Sequence, residues 1–120
     1  MPLDKKFFTI KRNDTLPVLL VHVFGRGCLY EKKPFNLSGV TAVTFSMLNV
    51  DCDFHKISLA PAKVFCFSAG TLQYSWIDGD TNESGNYLGE FQLHYSGGKK
   101  MSVPQNGGIQ IQVVDDINMG

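Results

Sequence analysis

The sequence predicts a single all-β domain, an immunoglobulin-like antiparallel β-sandwich of about seven to nine strands. Three observations predict it. Apolar and polar residues alternate in short runs with no helical period. Turn residues separate these runs at roughly 8–12-residue spacing. A tyrosine-corner motif lies within Leu72–Tyr95. At 120 residues the chain is the size of one domain, assigned here to residues 1–120 with a short arm at each terminus.

The strands are predicted from period-two alternation, in which one face is apolar and the other polar. A hairpin at Ser96–Lys99 and an Asn-Gly-Gly turn at 106–108 separate the last strands. Pro17–Phe24 is apolar on both faces, which predicts a central or covered strand, and Lys63–Phe67 is predicted as a short strand. The alternating apolar sets are Val43, Phe45 and Met47; Leu72, Tyr74 and Trp76; Tyr87, Phe91, Leu93 and Tyr95; and Ile109, Ile111 and Val113.

The segment Glu83–Tyr87 has the layout of a tyrosine corner, with an acidic residue, a glycine and a tyrosine at alternate positions before a long strand. Gly85 suits the tight bend because glycine tolerates positive φ. Trp76 and Phe91 are the large side chains expected in the core next to Tyr87. No Cys–Trp–Cys spacing accompanies them, so the expected domain is immunoglobulin-like in shape without being antibody-like.

Composition narrows the classes of partner. Eleven basic residues balance eleven acidic ones, so no nucleic acid partner is expected. The neutral balance permits self-association, because little long-range repulsion opposes it. Neither a signal peptide nor a membrane-spanning segment is expected, since the longest apolar run is Pro17–Phe24. The odd set Cys28, Cys52 and Cys66 predicts reduced thiols rather than a disulfide framework.

Sites for chemistry are few. Asp78–Glu83 resembles a calcium loop, but its spacing does not match the EF-hand pattern, which favours a solvated turn. Asp51, Asp53 and His55 alternate and would share a strand face, which leaves a metal site open as an alternative. No nucleophile and histidine stand at motif spacing, and no phosphate loop is present, so neither catalysis nor a cofactor is expected.

Candidate partner contacts lie in the arms and in the long connection Gly25–Asn36. Phe7 and Phe8 are apolar anchors of the N-terminal arm, or alternatively complete the first strand. Tyr30, Lys32 and Lys33 form a small basic and aromatic patch, whose alternative is a solvated loop.

Several motifs follow one another along the chain: Lys11–Pro17, Phe35–Met47, Gly70–Trp76, Asp78–Thr81, Ser84–Tyr87, Glu90–Phe91, Gly97–Lys99 and Val103–Pro104. Their order resembles the N-terminal domain of phage baseplate upper proteins and related immunoglobulin-like domains of phage tail proteins. The resemblance implies a non-enzymatic virion structural protein, assembled in the host cytoplasm, whose partners are other phage virion proteins and copies of itself in an oligomer or symmetric array. The chain departs from the family pattern in three places: Asn13 stands where glycine is usual, the Gly25–Asn36 connection is longer, and Asn49–Ala62 has no counterpart.

The favoured hypothesis is therefore an assembly or adaptor module of a phage tail or baseplate that acts by protein–protein docking. Capsid decoration is one alternative. A carbohydrate-binding or host-surface module is another, using exposed aromatics such as Tyr30, Phe54 or Tyr95. A small metal protein or enzyme built on Asp51, Asp53 and His55 is the third.

Overall fold

The computed structural model describes residues 7–26, 32–104 and 107–115, and almost all regular structure in them is β. A 3-10 turn at Ser96–Gly98 is the one helical element within these ranges. None of the described residues forms a helix that could span a membrane. The strands are β1 (Phe7–Lys11), β2 (Leu19–His22), β3 (Phe24–Arg26), β4 (Lys32–Pro34), β5 (Val40–Asn49), β6 (Phe54–Cys66), β7 (Thr71–Tyr74), β8 (Gly85–Tyr95), β9 (Lys100–Val103) and β10 (Ile109–Val114).

The strands form an immunoglobulin-like sandwich in the order β1-β10-β8-β5-β6-β7-β2, with β9 also paired to β8 and with β3 and β4 forming a separate hairpin. β6 belongs to both layers, because residues 54–62 pair with β5 and residues 63–66 pair with β7. Neighbours pair antiparallel except β1 and β10, which run parallel from Phe7↔Gln110 to Lys11↔Val114. Since β1 lies at the end of this order, it is an edge strand in the described part of the chain.

Aromatic rings join the two layers. The Phe45 ring on β5 stacks on the Tyr74 ring on β7, with centroids 4.5 Å apart. Trp76 meets both rings edge-on, and Phe91 packs against Phe45 from β8. Trp76 and Phe91 are buried, as the alternation predicts. Aromatic pairs in such geometries add about 0.5–1.5 kcal/mol beyond the area they bury, so this cluster holds the layers together.

The Phe8 side chain joins this core. It is buried and stacks on Trp76, with ring centroids 5.8 Å apart, whereas the neighbouring Phe7 is exposed. Residues 7 and 8 therefore belong to β1, so they complete the first strand and do not form a free arm. Alternation along β1 turns the Phe8 ring inward, which favours the alternative that Phe8 completes the first strand, and its contact with a partner stays a prediction.

Two strand predictions need correction. The predicted short strand Lys63–Phe67 overlaps the end of the much longer β6. The pairing of β6 with β5 and its pairing with β7 both contain register shifts typical of β-bulges. Pro17–Phe24 was expected to be central or covered, but β2 lies at the end of the strand order within the described chain. Its burial alternates, with Leu19 and Val21 inside and Leu20 and His22 half-exposed. Apolar residues on both faces therefore do not identify a central strand here.

Gly89 marks the closest approach of β8 to the core. A Cβ placed there would lie 2.6 Å from Ile111 Cδ1 and 2.9 Å from Phe45 Cζ. Both atoms are in buried side chains that have little room to move.

We expect Gly89→Ala to lower the free energy of unfolding by about 1–3 kcal/mol, because the added methyl overpacks the core. Gly39→Ala is the control: its Cβ would meet the Tyr95 ring at 3.5 Å, an ordinary contact. Urea denaturation followed by Trp76 fluorescence measures both. Equal stability of the two variants would contradict this account of the core.

Candidate docking surfaces

The loops at one end of the sandwich are fixed by side-chain hydrogen bonds. We call this the lower end and define it as residues 11–18, 50–56, 75–86 and 113–115. Here the Tyr87 hydroxyl donates a 2.8 Å bond to the Glu83 carbonyl, as in the tyrosine corner predicted from the sequence. Gly85, at the bend, has a φ of 153°. The corner anchors the start of β8 to the loop before it.

Asp80 is a buried carboxylate with two donors. Its Oδ2 atom accepts a 2.6 Å bond from the Tyr74 hydroxyl and a 3.0 Å bond from the Ile77 backbone N–H. Burial, together with the neighbouring Asp80 carboxylate, raises the pKa of Tyr74 above its ordinary value. Asp78–Glu83 is thus a structural turn whose central carboxylate points into the protein.

The opening segment of the chain is bonded to the same turn. The Trp76 indole N–H donates to the Pro17 carbonyl at 3.1 Å, and the Thr81 hydroxyl donates to the Asp14 carbonyl at 2.8 Å. The backbone N–H of Asn13 donates to Thr81 O at 2.9 Å. Asn13 has a φ of 70°, and asparagine tolerates this left-handed conformation better than most residues.

A third set of bonds fixes the turn between β5 and β6. The buried Asn49 side chain accepts bonds from the backbone N–H groups of Asp51 and Cys52 at 2.9 and 3.0 Å. Lys56 binds Asn82 and lies 3.4 Å from Glu83, which ties β6 to the tyrosine corner.

The predicted metal site required Asp51, Asp53 and His55 to share one strand face, and in the structure they do not. Asp51 and Asp53 lie in the turn, Asp53 with a φ of 53°, while His55 lies on β6. The described ranges hold no group of three or more His, Cys, Asp or Glu residues positioned to bind a metal ion.

Two apolar side chains project from the lower end. Leu16 is 70% exposed and Ile77 is 63% exposed. Each is the chain neighbour of a residue in the Pro17–Trp76 hydrogen bond. The bonded frame therefore holds both at fixed positions in solvent. Neither residue was predicted from the sequence as a contact, although an apolar residue inside a turn-rich segment is a usable signal.

A groove of about 430 Å³ opens on the outer face of the sheet. Its rim carries Phe7, which is 69% exposed, beside the side chains of Gln110 and Gln112. Its remaining walls are Phe8, Thr9, Val50, Asn86, Tyr87, Leu88 and Ile111. Because β1 borders it with an open edge in the described chain, an extended peptide fits the geometry. Of the two predicted contact residues, Phe7 and Phe8, Phe7 is therefore the one accessible to solvent.

We call the opposite end the upper end and define it by the β3–β4 hairpin and the turns at residues 66–70 and 96–99. Lys32 and Lys33 lie on β4, and Tyr30 lies outside the described residues. Tyr95 is half-buried with its ring against Gly39, whereas Phe54, at the lower end, is exposed. The three aromatics considered for sugar binding do not form one described platform.

Cys66 and Cys52 are free thiols, and Cys28 lies outside the described residues. Hydrogen bonds from the Ala69 backbone and the Ser68 side chain lower the pKa of Cys66.

No family model matches the chain, and no curated protein matches its sequence. Among solved structures, CopC from Methylosinus trichosporium OB3b aligns over 100% of this chain and 96% of its own, with 14% sequence identity and a TM-score of 0.49. No inference about binding follows from a likeness of this degree.

We expect Asp80→Ala to lower the free energy of unfolding by about 2–4 kcal/mol, because it leaves the buried Tyr74 hydroxyl and the Ile77 N–H without an acceptor. Asp78→Ala, two residues away and exposed, is expected to change it by less than about 0.5 kcal/mol. Chemical denaturation of both variants checks this. A small effect at Asp80 would show that the turn does not depend on its carboxylate.

The raised pKa of Tyr74 predicts a loss of stability at alkaline pH. Ionisation is easier in the unfolded chain, so this contribution is intact below about pH 10 and declines as the pH rises above that value. We expect Tyr74→Phe to flatten the decline, measured by urea unfolding between pH 8 and 11. Tyr95→Phe, at a half-exposed position, is the comparison and should alter the slope less. An unchanged slope in Tyr74→Phe would contradict the assignment.

Proposed function

We propose that this chain is a non-enzymatic structural protein of a bacteriophage virion, an immunoglobulin-like adaptor of the tail or baseplate that acts by protein–protein docking. The proposal is supported by the structural role of the residues in the motifs that resemble phage tail domains. Five of these residues form side-chain hydrogen bonds that build the lower end: Tyr74, Trp76, Asp80, Thr81 and Tyr87. The resemblance to phage tail domains thus falls on residues with a scaffolding role.

The exposed apolar side chains support docking as the mode of action. Solvent exposure of Leu16 and Ile77 contributes nothing to folding, yet the scaffold fixes both in place. A partner that covers them gains buried apolar area without ordering a loop first. Phe7 beside its groove offers a second such contact on the sheet face.

The first test is whether the protein is part of the particle. We expect it in gradient-purified virions of the phage that encodes it, detected by mass spectrometry, and at the tail or baseplate by immunogold labelling. Labelling of the head would support capsid decoration instead. Absence from purified particles would sink the virion assignment.

The second test concerns the lower-end anchors. We expect a Leu16→Ser, Ile77→Ser variant, supplied to a phage that lacks the gene, to enter particles about tenfold less well, equivalent to about 1.4 kcal/mol of docking free energy. Leu59→Ser is the control, because Leu59 is also exposed but lies midway along β6. Normal incorporation of the double variant would remove the lower end as a docking surface.

A further inference from the structure

The neutral net charge conceals a separation of charge along the molecule. Every described Asp or Glu except Glu90 lies at the lower end. The same end also holds three basic residues, which the acidic residues outnumber. Arg12 lies 3.6 Å from Asp115 and Lys56 lies 3.4 Å from Glu83, whereas Lys11 is exposed. Four exposed carboxylates form no ion pair with a basic residue in the described part of the chain: Asp14, Asp51, Asp53 and Asp78.

Most of the remaining described basic residues lie at the opposite end. Lys99 and Lys100 are exposed at the turn between β8 and β9. Arg26 on β3 and Lys32 and Lys33 on β4 belong to the hairpin that extends the same end. No described acidic residue lies there. Among the described residues, the upper end therefore carries an excess of basic residues and the lower end an excess of acidic ones.

The two ends are too far apart to neutralise each other within one molecule. β8 runs from the lower end at Gly85 to the upper end at Tyr95, and a strand of 11 residues spans roughly 33 Å. The Debye length at physiological ionic strength is about 8 Å. Each end therefore presents its own charge to a partner, even though the whole chain carries none.

Each end also carries apolar contacts suited to a docked surface. Leu16 and Ile77 project from the lower end, and Phe65 and Phe67 are exposed beside the turn that follows β6 at the upper end, at 60% and 49%. Apolar anchors surrounded by charges are the usual anatomy of a protein interface, in which burial supplies affinity and charge supplies orientation.

We propose that copies of this domain associate head to tail, with the acidic lower end of one copy on the basic upper end of the next. The inference rests on the proposed docking function and names one of its partners. A polycation or a polyanion would match one end only, whereas a second copy matches both. Because the two surfaces differ, the contact is heterologous and repeats into a ring or a filament rather than closing as a two-fold dimer.

Sedimentation velocity of the full chain tests the association over a concentration series. We expect self-association at about 0.01 M ionic strength, where the Debye length is about 30 Å, and a dissociation constant at least about tenfold higher at 0.15 M. A monomer at every concentration under low salt would overturn the proposal, as would association that is insensitive to salt. Neither result bears on whether the protein is found in virions, so the two proposals fail separately.

Charge reversals identify the surfaces. We expect Lys99→Glu to weaken association about threefold to tenfold, whereas Lys11→Glu, the same charge change at the acidic end, leaves or strengthens it. Asp78→Lys should weaken it similarly, and Glu90→Lys, on β8 away from both ends, should not. All four positions are exposed, so thermal unfolding should show intact folds.

Mixing is the decisive experiment. The Lys99→Glu variant keeps its acidic lower end, and the Asp78→Lys variant keeps its basic upper end. In an equal mixture these two intact ends can dock on each other, and the two reversed ends are also complementary. We therefore expect the mixture to associate more strongly than either variant alone. No gain on mixing, or disruption by Glu90→Lys equal to that by Asp78→Lys, would overturn the head-to-tail contact.

Discussion

A buried carboxylate, Asp80, holds the lower end of this sandwich in place. A charge removed from water is costly unless donors surround it, and here the Tyr74 hydroxyl and the Ile77 N–H do so. Tyr74 is at the same time a core residue, stacked on Phe45 of the other layer. The position of the turn is therefore set by the packing between the layers. The Thr81–Asp14 bond and the tyrosine corner both start from that turn.

The docking surfaces follow from this constraint. A loop that displays an apolar side chain in water normally gains by collapsing onto the protein. Leu16 and Ile77 stay exposed because the residues next to them are bonded to each other and to the core. The same fixed loops carry the exposed carboxylates of Asp14 and Asp78, so they contribute acidic charge to the lower end as well as apolar contacts.

Local pattern predicted much of the fold and little of the surface. Alternation over Tyr87–Tyr95 and the turn at Gly97-Gly98 are local properties, so sequence specified them. β6 was underestimated because its first half, from Phe54, has mixed polarity and is held as a strand by pairing with β5. Asp80 was assigned to solvent because its partner Tyr74 lies on the preceding strand and its burial depends on tertiary packing. The separation of charge appears only when residues distant in sequence are brought to one end.

The pairing of β1 with β10 has a mechanical consequence. These are the first and last described strands, they run parallel, and five residue pairs link them from Phe7↔Gln110 to Lys11↔Val114. A tensile force that pulls the start of β1 and the end of β10 in opposite directions acts along both strands. It loads their hydrogen bonds together in shear, so they must break at once rather than one after another. A domain joined to neighbours through its termini would thus resist stretching and transmit load while remaining folded.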